Sequence, residues 1–392
     1  MSVQREIDRI RSNIAAAYEA VAEKNGTLPA LQDSANLASA IASIPFSPTR
    51  IYGVAWTDPQ SARLTRTDSA AAFPDPVPAV GNGAGTSPFD HRYPWSGMKK
   101  MTEGDNVLVE IPKFWVKVSQ NPFSIRIADK PVEGYQVSPA HRDRGDGQGE
   151  RDAVYIGRYE CDAAFRSRSG QEVLGTTNFK TFREGVSALG GTYWQADYPL
   201  QLTVWFLYLV EFASWDGQAV IGQGNVSSGE KLPTGGTDAM TYHTGRPEGA
   251  DGTTPMQYRW IENLWGNVRE FRDGIIFSDE SVCTYQNPAQ YVNDFNGAGA
   301  VLRTNKRPLA DGCITEWDCD EADASFIFPS ATGETGPVPD KYQYRTGVRV
   351  MNVGGYFNSG EKGGPFAVIT FYAAQNIYGS LGSRLQRLPD HG

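Results

Sequence analysis

The stretch from Pro199 to Trp215 constrains this chain more than any other, because it reads as a helix with almost no polar side. Trp205, Leu209 and Phe212 recur at helical spacing on one side, and Phe206 and Val210 occupy the adjoining one. A helix that is apolar most of the way round is stable only when protein surrounds it. The chain must therefore build a core on several sides of this element. Its 392 residues, 40% hydrophobic and 21% charged, are enough for two or three globular domains.

Several classes of function fall away. The formal net charge is −9, so the chain lacks the basic surface that gripping nucleic-acid backbones requires. No run of about 18 apolar residues is present, so no membrane insertion is expected. Residues 1–10 are charged and carry no apolar signal core. Cys161, Cys283, Cys313 and Cys319 are too few for a disulfide scaffold and read as buried free thiols, although Cys313 and Cys319 are close enough in sequence to pair. The four histidines, His91, His141, His243 and His391, show no paired-ligand spacing, which argues against a zinc or non-haem iron enzyme.

The pattern divides the chain into three expected segments. Residues 1–48 read as a helical segment. Ile7, Ile14 and Val21 share one heptad position and Ile10 and Ala17 the other, a short seam that suits oligomerisation. Asn25-Gly26 breaks the pattern. A second helix over Ser34–Ile44 carries Leu37, Ile41 and Ile44 on one face, and Pro45 and Pro48 end it. Residues 49–150 read as a small β-rich domain, with strands at Ile51–Trp56 and Val107–Val118 and a Pro/Gly-rich loop between them. That loop, from Phe73 to Gly97, is expected to be packed by Phe89, Tyr93 and Trp95. The turn-rich run Arg142–Arg151 places a boundary near 150. Its Arg144-Gly145-Asp146 tripeptide is too short to indicate integrin binding. The third segment, 151–392, begins with a strand at Val154–Tyr159, continues through helices at Asn178–Ser187 and Pro199–Trp215, and ends in short strands at Tyr344–Met351, Gly364–Phe371 and Leu381–Leu388.

In this third segment an ordered series of motifs appears: VYIGRYECDAAF, TTNFKTFR, YPLQLTVWFLYLVEFASW, YRWIENLWGNVREFRDG and YRTGVRVMNVGG. The series resembles the C-type-lectin-like fold shared by the formylglycine-generating enzyme group and the variable proteins of diversity-generating retroelements. The strongest piece runs from Glu262 to Phe271. There Gly266 permits a tight turn, and Trp265, Val268 and Phe271 are apolar enough to fill a core. The expected fold is thus α+β: a C-terminal C-type-lectin-like domain, preceded by the small β-rich domain and the helical segment.

Residues 354–384, GGYFNSGEKGGPFAVITFYAAQNIYGSLGSR, separate the two branches. Gly354-Gly355, Gly360, Gly364-Pro365-Phe366 and Leu381-Gly382-Ser383-Arg384 form a frame that resembles the variable region of retroelement-diversified proteins. In that family a template rich in Asn codons is copied with errors at adenines. The resemblance implies that Tyr356, Asn358, Ser359, Lys362, Ile369, Phe371, Tyr372, Asn376, Tyr378 and Ser380 are ligand-binding positions, and Phe357 joins them in an aromatic patch. Strand alternation offers independent support: with Phe366 and Val368 inward, Ile369 and Phe371 face outward. Tyrosine offers large contact area at low entropic cost, as in antibody paratopes.

No catalytic residue is expected. Residues 340–392 contain no cysteine, whereas the formylglycine-generating group uses two near its C-terminal end; Cys313 and Cys319 lie too early, and the histidine cluster of the sulfoxide synthases is missing. No cofactor or metal site is expected either. Asp318, Asp320, Glu321 and Asp323 read as a solvated acidic loop rather than a calcium or acid–base site. Calcium-dependent sugar binding lacks its EPN or QPD motif with a following WND.

The N-terminal run IDRIRSNIAAAYEAVAEKNGTLPALQDSANLASAIASIP resembles the opening of phage tail-associated proteins. Together the resemblances imply a phage tail-fibre-tip receptor-binding protein, made in the host cytoplasm and carried on the virion tail. It would be trimeric, partnered by other tail components, and would bind a protein or glycan receptor on the host surface. A bacterial surface-displayed variable adhesin and a formylglycine-generating-type oxidase are the alternatives weighed against it.

Overall fold

The computed structural model describes residues 3–23, 28–42 and 49–390. The protein is mixed α+β, dominated by sheets, with five α-helices among the described residues. It divides into two compact units, 1–49 and 50–392.

The first unit is a pair of helices, α1 (Val3–Glu23) and α2 (Ser34–Ala42). Tyr18, Val21 and Ala40 are buried between them, with Ile14 and Leu37 against them. The Tyr18 hydroxyl donates to the Asp33 carbonyl at 2.8 Å, and the Asp33 carboxylate caps the start of α2 by accepting from the Asn36 N–H at 3.0 Å. Ile41 is exposed, and Ala40 takes the inward place expected for it. Asn25-Gly26, Ile44, Pro45 and Pro48 lie outside the described residues, as does His391.

The second unit corrects the expected boundary near 150. The strand Asn106–Pro112 pairs antiparallel with Ala153–Gly157, with Leu108 opposite Gly157 and Pro112 opposite Ala153. Ala153–Gly157 in turn pairs with Leu385–Arg387 near the C-terminus. One five-stranded sheet therefore joins both expected domains, and 49–150 is not a separate body. Local composition marked the Arg142–Arg151 turn correctly, but long-range strand pairing overrides it.

The expected strand Val107–Val118 is two strands, Asn106–Pro112 and Trp115–Gln120, in different sheets. Pro112 has no N–H to extend a ladder, and the chain changes sheet there. The expected strand Tyr344–Met351 is likewise interrupted. Val338–Tyr344 and Val348–Val353 are distinct, separated at Gly347, whose φ of +82° turns the backbone. The last expected stretch is also two short strands, Leu381–Gly382 and Leu385–Arg387.

Helices α3 (Phe179–Ser187), α4 (Tyr198–Phe212) and α5 (Gly217–Val220) belong to this unit. Asn178 caps α3 and Asp197 caps α4, each accepting a backbone N–H through its side chain at 2.9 Å. Every residue of α4 is buried, as the sequence requires. Its core runs from Val54 and Trp95 through Trp205 and Trp265 to Phe366, so both halves of the unit share one interior. Each large apolar side chain placed there contributes roughly 1.5–3 kcal/mol. In the Pro/Gly-rich loop Phe89 and Trp95 are buried as expected, but Tyr93 is exposed and donates to the Lys113 carbonyl at 2.6 Å.

The largest sheet carries the C-terminal region. Arg269–Ser278, Val348–Val353, Val368–Thr370 and Val338–Tyr344 lie side by side in it, with Leu381–Gly382 parallel to the start of Arg269–Ser278. This order sets the expected variable segment against the motif that contains Trp265.

Candidate functional site

The frame of residues 354–384 is held from outside by residues that do not belong to it. The Asp340 carboxylate accepts from the Gly364 N–H at 2.8 Å and the Phe366 N–H at 2.7 Å. Trp205 donates its indole N–H to the Pro365 carbonyl at 2.9 Å, and Gln218 donates to the Gly360 carbonyl at 3.0 Å. The Gly266 N–H donates to the Gly354 carbonyl at 2.7 Å. Gly266 has φ +82°, and a Cβ there would stand 2.9 Å from the Asn225 backbone nitrogen, so only glycine fits.

At the other end Arg384 is fully buried. Its guanidinium pairs with Glu270 at 2.8 and 2.9 Å and donates to the carbonyls of Gly157, Glu262 and Asn263. Trp265, Val268 and Phe271 are buried beneath, matching their expected role. Asn267, at φ +59°, donates to Glu160 at 2.7 Å and accepts from the Leu232 N–H at 2.8 Å. Burial first, and then the negative charge of Glu270, push the Glu160 carboxyl up to about 8.

Over this frame the expected ligand-binding residues form two groups. Tyr356 and Phe357 meet edge to face, with ring centroids 5.1 Å apart. Phe371, Tyr372 and Tyr378 form a chain at 5.3 and 5.4 Å. Tyr378 is 51% exposed, and Asn358 and Lys362 are exposed. Tyr356, Phe357, Phe371, Tyr372 and Ser380 are half-buried, so each keeps part of its surface in solvent. Ser359 and Asn376 are also half-buried, and both serve the backbone. The Ser359 hydroxyl accepts from the Tyr356 N–H at 2.8 Å, and the Asn376 side chain accepts from the Ala373 N–H at 2.7 Å. Ile369 departs from expectation: it is only 2% exposed. Its strand lies between those of Asn352 and Gln343, and its side chain lines the cleft beside Tyr356, so alternation gives its side of the sheet but not its burial.

Sequence reasoning missed the residue that joins the groups. Arg269 lies over the Tyr356 ring at 3.9 Å and reaches Tyr372 at 5.9 Å, with an Nη–H donated to the Tyr372 hydroxyl at 3.3 Å. Beside it a cleft of about 290 Å³ is lined by Arg269, Lys341, Gln343, Tyr356, Asn358 and Lys362, among others. The available signal was alternation within VREF: Val268 and Glu270 point inward, which turns Arg269 out. Lys341 and Gln343 come from a neighbouring strand and carry no local signal.

The other motif residues take structural positions. Arg144 is buried and paired with Asp197 at 2.6 Å, so the Arg-Gly-Asp tripeptide is not displayed. The acidic run is less solvated than expected. Asp323 pairs with Arg142 and Arg303 at 2.6 and 2.8 Å, and these contacts lower its carboxyl despite the opposing effect of burial. All four cysteines are free; three are buried and Cys313 is partly exposed. Among the described residues, no cluster of three or more His, Cys, Asp or Glu side chains is placed to hold a metal ion. No helix among them is long and apolar enough to cross a membrane.

Neither a scan against protein-family models nor a search of curated proteins gives a match.

Proposed function

We propose that this chain is a receptor-binding protein of the retroelement-diversified type, carried at a phage tail-fibre tip on a C-type-lectin-like domain. In this reading residues 354–384 are a variable surface that binds host-cell ligands, with no chemistry performed on them. One observation supports the proposal: apart from buried Ile369, the side chains expected to vary lie together and keep surface in solvent, while the backbone under them is tied down by residues outside the segment. Such a division lets side chains change without loss of fold. It also preorganises the surface, so little entropy is lost on binding. A homotrimer would present three such faces, and multivalency would then raise avidity by about 10²–10⁴.

The direct test is adsorption of the purified chain to a panel of bacterial cells. The proposal expects strain-selective adsorption that is lost when Tyr372 and Tyr378 are replaced by Ala. Diversification has its own genomic test, a near-copy of the coding sequence for residues 354–384 beside a reverse-transcriptase gene, differing only at adenines. Uniform adsorption to all cells, or none, would contradict receptor binding.

A further inference from the structure

We propose that the cleft beside Tyr356 binds a sugar unit carrying a carboxylate, the repeating element of an acidic surface glycan, with Arg269 as its fixed anchor. This rests on the receptor-binding reading above and names the ligand class for that face.

The charge of the cleft is the first argument. Arg269, Lys341 and Lys362 line it, and no Asp or Glu does. The chain as a whole has a net charge of −9, so this concentration of cations runs against its average. Elsewhere several buried arginines are matched by acids, Arg144 by Asp197, Arg259 by Glu211 and Arg384 by Glu270, while buried Arg307 is matched by the carbonyls of Asp279, Thr370 and Arg345. In the cleft, Lys341 meets Asp311 at 3.6 Å, but among the described residues neither Arg269 nor Lys362 has an ion-pair partner. Low-dielectric walls focus such a field and favour an anion.

The geometry of Arg269 is the second argument. The guanidinium carbon stands 3.9 Å from the centre of the Tyr356 ring, and one Nη–H is used on Tyr372, so the side chain is held at two points. A planar guanidinium matches a carboxylate in shape better than a flexible ammonium does.

The remaining lining residues select among anions. The side-chain amides of Gln343 and Asn358 offer donors and acceptors within the same cleft, which suits ring hydroxyls flanking a carboxylate. At about 290 Å³ the cleft is concave and at the small end for small-molecule sites. That shape favours a sugar ring over an acidic protein surface, which would make a flatter and broader contact.

The experiment titrates the full chain with glucuronate, its methyl ester, glucose and a tetraglutamate peptide, read by saturation-transfer NMR and calorimetry. Glucuronate is expected to bind, with the methyl ester and glucose at least about tenfold weaker. Arg269→Gln should weaken glucuronate about tenfold, Arg269→Lys should fall between, and Lys362→Gln should weaken it and flatten its salt dependence. Melting curves establish that each variant is folded, and Lys362→Gln carries the test if Arg269→Gln is not. Absent glucuronate binding, equal binding of glucuronate and glucose, or full affinity in a folded Arg269→Gln would overturn the proposal. Preference for tetraglutamate would overturn it too, by assigning the cleft to a protein acid. Strain-selective, Tyr372-dependent cell adsorption together with indifference to glucuronate would sink this inference and leave receptor binding standing.

Discussion

The Arg269 guanidinium lies 3.9 Å from the centre of the Tyr356 ring, and this contact connects the strand Arg269–Ser278 to the segment 354–384. Arg269 sits in the strand Arg269–Ser278, one residue after buried Val268, and so is positioned by the core. Tyr372 touches the same guanidinium at 5.9 Å. Tyr356 and Tyr372 are thus joined by a cation from outside residues 354–384.

Replacing Tyr356, Phe371, Tyr372 and Tyr378 together by Ala should abolish adsorption to cells that the parent chain binds. The same variant should melt within a few degrees of the parent, because all four keep part of their surface in solvent. Parallel cell-adsorption and calorimetric measurements check this. A collapse of the melting transition would mean that these rings hold the fold together.

Trp265→Ala should do the reverse. The ring is 1% exposed, its N–H donates to the Gln223 carbonyl at 3.1 Å, and it packs against Tyr208. Truncation leaves a large cavity and costs about 3–5 kcal/mol. Denaturant titration should show a midpoint well below that of the parent, and a near-parental midpoint would refute the structural role.

Much of this division between core and display was legible because it follows from local patterns. Continuous apolarity placed α4 inside, the motif around Gly266 marked a turn over buried Trp265, and glycines framed the displayed aromatics. What stayed hidden depends on pairing between distant strands. The partnership of Asn106–Pro112 with Ala153–Gly157 erased a boundary that composition suggested. Ile369 is buried where it lines the cleft with Arg269, Tyr356 and Lys362, which alternation along its own strand does not reveal. Glu270, Arg272 and Asp273 are buried in ion pairs, Arg272 with Glu270 itself, while Arg384 and Arg183, the partners of Glu270 and Asp273, arrive from far along the chain and leave no local signal.

Arg384→Ala tests that hidden network. Removing the guanidinium strips a main partner from buried Glu270 and leaves the carbonyls of Gly157, Glu262 and Asn263 without their donor. Breaking a buried pair from one side costs about 3–5 kcal/mol. Urea titration of the variant should show that loss, and near-parental stability would mean that the Arg384 cluster is dispensable.

Asp340 gives a pH dependence with a definite sign. Burial pushes its carboxyl up to about 7, opposed by the Phe366 and Gly364 N–H groups and reinforced by the charge of Asp216. Between the ordinary carboxylate range and about 7, the folded state holds a proton that the unfolded state has released. The Asp340 contribution therefore favours folding at low pH and is lost as pH rises from about 4 to about 7. Melting temperatures of the parent and Asp340→Asn should converge across this range, with the parent's advantage shrinking as pH rises. An advantage that grew with pH would show that Asp340 is held as a carboxylate instead.

The last prediction concerns the helical unit. Tyr18 and Val21 are buried against α2, while Val3, Ile7 and Ile10 are 77%, 38% and 48% exposed. These three lie at i, i+4 and i+7 on α1, so they share one side of the helix. An exposed apolar stripe at this spacing has the form of a coiled-coil seam. A trimer assembled through α1 would cover it without disturbing the Tyr18 contact. Ile7→Asp together with Ile10→Asp should then lower the solution mass from trimer to monomer by light scattering. Residues 50–392 should keep their melting transition, since neither side chain belongs to that unit's core. A parent chain that is already monomeric at micromolar concentration, or a variant that stays trimeric, would rule out assembly through this stripe.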